Sequence, residues 1–186
     1  MITILIKNHE IYLKVNSFVL ELFDDEGAAC TFYTVRWEGA GLSEADKFFK
    51  KFKDDVLLRR PLQELAKFLT VVIGDEYGAL KPFFRFENMA QALPPSGGYQ
   101  VGAVSIDFDR FPLRLYCLRL SDELVILFNG AEKTGRSAQE GKTGMAFAEA
   151  NQFAARILKA ICHREIWITD DGRSFNSEDG SNEILL

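Results

Sequence analysis

Hydrophobic and polar positions are unevenly patterned along this chain, and the most informative stretch is 112–134, PLRLYCLRLSDELVILFNGAEKT. Residues 113–120 and 124–128 are rich in aliphatic, β-branched and aromatic side chains, and Ser121, Asp122 and Glu123 interrupt them. Two such runs across a few polar residues predict an antiparallel hairpin. The second run is apolar throughout, as expected of a strand covered on both faces. In the first, period-2 alternation puts Arg114 and Tyr116 on one face and Arg119 on the other. Asn129-Gly130 reads as turn chemistry that ends the second strand.

Before the hairpin, 2–6 and 11–15 predict short strands, and 17–23 reads as a continuation of the second. With the strand over 31–37 (TFYTVRW), residues 1–38 are expected to form a three-stranded meander whose acidic loop, Asp24, Asp25 and Glu26, is solvated. Ser43 is an N-cap ahead of acids in a first helical turn. Phe48, Phe49 and Phe52 then form an apolar stripe opposite Lys47, Lys50, Lys51 and Lys53. Residues 59–73 predict a second amphipathic helix, with Pro61 in its first turn and Gly74 as C-cap. A further short turn of helix is expected over 75–80. Residues 83–86 read as a strand or a buried turn, and 94–98 as a loop. Residues 99–108 alternate as a single strand that precedes the hairpin and pairs with it.

After the hairpin, 135–144 is glycine-rich and polar, and 145–162 is an amphipathic helix. Its apolar face includes Phe147, Phe153, Ile157, Leu158 and Ile161. Residues 166–168 predict a last edge strand, and the acidic end from 169 onward a flexible tail. The expected architecture is a single α+β domain over 1–168: a twisted, mainly antiparallel sheet with helices packed on it, in which an N-terminal β extension (1–38) precedes a core over 43–164.

Composition narrows the function classes. A chain of 186 residues suits one domain with a substantial core. Its three cysteines (Cys30, Cys117, Cys162) are far apart in apolar surroundings and read as reduced, packed thiols. No apolar run approaches the ~18 residues of a membrane span, and no signal peptide is visible, so a cytoplasmic protein without membrane contact is expected. The net charge of −5 is divided unequally: −4 over 1–109, +4 over 110–164 and −5 over 165–186. The hairpin and its sequel form the one basic segment, either a footprint for a polyanion or a solvated surface.

Several chemistries are disfavoured. GRSAQEGKT lies between a strand and a helix, but a phosphate-binding loop needs glycine where this chain has Arg136, since Gly135 is one residue too early. His9 and His163 belong to no cluster at metal-ligand spacing, so neither a metal nor another cofactor is expected. A Cys117–His163 nucleophile pair is disfavoured because Cys117 sits inside an apolar strand.

The order strand, two helices, strands ending in LRLYCLRLSDELVILFNGAEKT, then an Ala-rich helix resembles the RelE/HigB-like toxins of bacterial toxin–antitoxin modules. Arg114-Leu115-Tyr116 matches that family's Arg-apolar-aromatic strand. Residues 124–130 match its second strand, with Asn129 where the family often has His. Lys133-Thr134 matches the end of its Lys-Lys-Thr element, and 146–155 its helix. The resemblance implies a RelE-like fold over the core and a metal-independent endonuclease that cuts mRNA on the ribosome and is neutralised by an antitoxin. Under it, Arg114 and Lys133 hold phosphate and Tyr116 stacks or positions. Arg119, Arg136 and Lys142 are added as RNA contacts from charge and proximity in sequence. The alternative is a non-catalytic protein on the same scaffold, acting as a binding or regulatory module.

Overall fold

The structure is a computed structural model that describes residues 3–7, 10–14, 17–101, 104–133, 142–178, 180–181 and 183–186. Its centre is the expected hairpin. Among the described residues, β1 (Thr3–Lys7) and β2 (Glu10–Lys14) pair only with each other, and β3 (Phe18–Asp24) and β4 (Thr31–Trp37) form a second hairpin. The expected three-stranded meander is therefore two hairpins, and only the second enters the main sheet.

α1 (Glu44–Phe52) starts where Ser43 caps it, its hydroxyl accepting from the Asp46 amide at 3.1 Å. Ala45, Phe48 and Phe52 are its buried face, and the lysines are exposed. α2 (Arg59–Lys67) buries Leu62 and Leu65 and continues as a π-helix over Phe68–Tyr77. Gly74 lies inside that continuation rather than capping it, and the left-handed cap is Gly78 at φ 74°. The Gly74 carbonyl instead accepts from the amides of Ala29 and Cys30 at 2.7 and 3.0 Å, tying the helix end to the β3–β4 turn. A 3-10 turn, Lys81–Phe83, leads to β5 (Arg85–Phe86) and β6 (Gln91–Leu93). β7 (Gly98–Val101) and β8 (Val104–Asp107) pair with each other in a separate hairpin, so the single strand expected over 99–108 is not formed. The central hairpin takes β6 as its neighbour instead.

β9 (Leu113–Arg119) and β10 (Leu124–Glu132) complete the core of an α+β, mainly antiparallel sheet, ordered β13-β3-β4-β10-β9-β6-β5. β4 and β10 are parallel, and the pairs on either side are antiparallel. Both faces are covered, which accounts for the unbroken apolar run 124–128. Val125 and Leu127 pack with α1 and α2, whereas Leu124, Ile126 and Phe128 pack with α3 (Lys142–Cys162). α3 presents Ala150, Phe153, Ala154, Ile157 and Ala160 at helical spacing. Leu158, expected on that face, is exposed. The helix begins at Lys142, so the last residues of the expected 135–144 loop are helical, while 134–141 lie outside the described residues.

Asn129-Gly130 does not end β10. The register with β9 shifts by one residue between Leu127 and Gly130, and pairing then continues to Glu132. This bulge lets two successive residues lean toward α3 and turns Gly130 toward α1. A Cβ at Gly130 would lie 2.2 Å from the Arg114 carbonyl oxygen and 2.6 Å from the Phe48 ring, so the close approach of α1 requires glycine there.

The acidic end is also more ordered than a flexible tail. β11 (Ile166–Ile168) pairs with β12 (Phe175–Ser177), separately from the main sheet. β13 (Ile184–Leu185) is the main sheet's edge, with Ile184 opposite Leu20. Of the cysteines, Cys30 and Cys117 are buried, while Cys162 is exposed rather than packed. Among the described residues, no helix is long and apolar enough to cross a membrane.

Candidate cationic site at the sheet end

Arg114 and Tyr116 share the α3 face of β9, as period-2 alternation requires. Arg114 lies opposite Ala131, and Tyr116 opposite Ala92 of β6. Arg114 is 3% exposed, and its Nη1 faces Glu87 Oε1 at 3.4 Å. Glu87, just past β5, also holds Arg85 at 3.3 Å. Neither Arg114 Nη1 nor Glu87 Oε1 has a hydrogen-bond partner, so the contact is coulombic only.

Beside this pair is a small cavity, about 60 Å³, at the end of β9. Its cationic walls are Arg85, Arg110, Arg114 and Lys133, against the single acid Asp109. Pro94, Pro95, Phe108 and Phe111 narrow it. The fold assembles it from three sources. The β6–β7 loop and the turn before β9 supply two walls. The Lys133 amide, bonded at 2.6 Å to the Pro112 carbonyl, fixes the end of β10 against the start of β9. Arg110 stands in that turn at φ 54°, a left-handed conformation uncommon outside glycine.

The predicted residues are thus partly gathered and partly separated. Arg114 and Lys133 border one cavity. Tyr116 adjoins them but has no exposed surface, so no base can stack on it in this structure. Burial raises its hydroxyl pKa above the usual 10, with the Arg114 cation beside it pulling the other way and Glu87 adding to the rise. The phenol therefore keeps its proton at neutral pH. Arg119 is elsewhere: it lies on the opposite face and donates to the Ala79 carbonyl and to Asp122, which makes it a clamp on the loop after the π-helix. Arg136 lies outside the described residues, and Lys142 opens α3. Sequence reasoning missed Arg85, Glu87 and Arg110. A signal for the first two existed, since Arg85 and Glu87 share a face by alternation within FFRFEN.

A larger groove, about 870 Å³, runs between α1 and α3 over the β10 bulge. Trp37 Nε1 donates to Glu149 Oε1 at 3.2 Å, and Asn129, re-aimed by the bulge, donates to Glu149 Oε2. Burial raises the Glu149 pKa and Glu44 adds to the rise, while those two hydrogen bonds and Lys47 oppose it. The buried thiols are inert. Burial pushes Cys30 up to about 12 and Cys117 higher still, and Cys117 faces α1 and α2 while His163 follows α3 on the other side.

No protein-family model, curated protein or solved structure matches this chain.

Proposed function

We propose that the chain is a RelE/HigB-like, metal-independent ribonuclease toxin acting on ribosome-bound mRNA, with an antitoxin as its neutralising partner. The observation that carries this reading is the meeting of Arg114 and Lys133 at one cation-walled cavity, although 19 positions separate them in sequence. Support also comes from the order of elements: β4, two helices, β6, β9 and β10, then the Ala-rich α3. In such a reaction the ribose 2′-hydroxyl loses its proton to solvent as its oxygen bonds to the adjacent phosphorus, the bond to the 5′-oxygen breaks to leave a 2′,3′-cyclic phosphate, and the leaving oxygen takes a proton from solvent. Arg114 and Lys133 offset the negative charge that builds on the phosphoryl oxygens. Tyr116 is a positioning residue here, with its protonated phenol packed beside the Arg114 guanidinium.

A second reading, a non-catalytic binding or regulatory module on the same scaffold, is favoured by the near-complete burial of Arg114 and its pairing with Glu87. Inducible expression followed by mapping of mRNA 5′ ends separates the two. Growth arrest with codon-phased cuts, lost in Lys133→Ala and in the Arg114→Ala/Lys133→Ala double variant, is the expected result. Lys133 is exposed, so its substitution leaves the fold intact. Harmless high-level expression with intact messages would overturn the nuclease reading in favour of the binding module.

A further inference from the structure

Glu87 poses a physical problem. Its side chain is 12% exposed, and it faces two guanidiniums on the α3 side of the sheet. An ion pair kept for stability is normally closed by hydrogen bonds, because desolvating both charges otherwise costs more than their attraction returns. Here the facing atoms, Arg114 Nη1 and Glu87 Oε1, have none. Glu87 does not wall the cavity itself, whereas Arg85 and Arg114, the two guanidiniums it faces, both do. Without it, two guanidiniums and the neighbouring Lys133 and Arg110 would repel one another at the sheet end.

We propose that Glu87 is a positioning residue that aims Arg85 and Arg114 into the cavity and sets its net charge, and thereby its affinity for a single phosphate-type oxyanion. The cavity suits such a group: its 60 Å³ holds roughly four water-sized volumes. The inference rests on the reading that this cavity receives phosphate. Glu87 does not touch the ligand. It restrains both guanidiniums, and its negative charge lowers the field they project, so the two effects on affinity oppose each other.

Two substitutions separate them. Glu87→Gln keeps a planar group of the same size packed against the guanidiniums and removes the charge, whereas Glu87→Ala removes both. Binding of inorganic phosphate is measured by calorimetry at low and moderate salt, with thermal melts to verify folding. Glu87→Gln is expected to bind about tenfold more tightly than wild type, with a steeper salt dependence. Glu87→Ala is expected to bind more weakly than wild type although folded. Equal affinities across the three proteins, or equal gains in both variants, would overturn the positioning role while leaving the cavity as an anion site. Absence of phosphate binding by the wild type would overturn both the inference and the phosphate reading of the cavity. The nuclease reading is decided separately, by the mapping of message ends.

Discussion

The two ends of β9 carry one arginine each, and they have opposite fates. Arg119 donates to the Ala79 carbonyl and to Asp122, so a flexible cation becomes a fixed strut between the hairpin and the loop after the π-helix. Arg114, five residues earlier, is more deeply buried, yet its Nη1 meets only a carboxylate without hydrogen-bond geometry. At its end of the strand Arg119 is held by one backbone carbonyl and one carboxylate. At the other end Arg114 lines a cavity, and its Nη1 faces Glu87 without a hydrogen bond. Identical side chains on one strand are thus a strut at one end and part of a cavity wall at the other, and the difference lies in their partners.

The largest expected effect comes from the packing that shapes the Arg114 end. Gly130→Val would drive a side chain into the Arg114 carbonyl and the Phe48 ring, where even a Cβ lies 2.2 and 2.6 Å away. Relief requires α1 to lift or the β9–β10 pairing to open beyond the bulge. A loss of about 3 kcal/mol is expected, read as a lower midpoint in urea unfolding. An unchanged midpoint would mean that the bulge does not hold α1 against the sheet.

How much of this was legible in the sequence follows from the same two ends. The hairpin was readable because covering both faces of β10 writes an unbroken apolar run, and the faces of Arg114, Tyr116 and Arg119 followed from alternation alone. The bulge was not, since an extra residue in one strand is defined only against its partner, and Asn129-Gly130 carries the same local signal in a bulge as in a turn. Arg119 was misjudged for the same reason: its acceptor is the backbone of Ala79, 40 positions away, and a carbonyl leaves no trace in composition. The short strands β6 and β13 were missed because two or three residues are too few to show a period. Arg114 and Lys133 were paired through the family resemblance, whereas their neighbours Arg85, Glu87 and Arg110 come from segments whose proximity only the fold creates.

The next contrast sets the two arginines directly against each other. Arg114→Ala leaves Glu87 with one guanidinium in a buried setting, and about 2 kcal/mol should be lost. Arg119→Ala leaves the Ala79 carbonyl without that donor, at a cost of about 1 kcal/mol. Chemical denaturation of both variants checks the order. Phosphate binding checks the partition of roles: it should fall in the Arg114 variant and stay at the wild-type level in the Arg119 variant. Loss of binding in both would erase the distinction between a strut and a ligand group.

The smallest effect lies in the α1–α3 groove, where the bulge that shapes the Arg114 end also re-aims Asn129 toward Glu149. The Glu149 pKa is raised above the ordinary carboxyl value of 4.5, first by burial and then by Glu44. The folded state thus binds this proton more tightly than the unfolded chain does. Its contribution to stability is present below about pH 4.5 and declines as pH rises through the folded-state pKa. A carboxyl-detected NMR titration should find Glu149 among the groups that titrate late, and Glu44→Gln should move it part-way back. Because burial is the larger cause, the return must be incomplete. A full return would assign the shift to Glu44 alone, and no movement would mean that the two carboxylates do not sense each other across the groove.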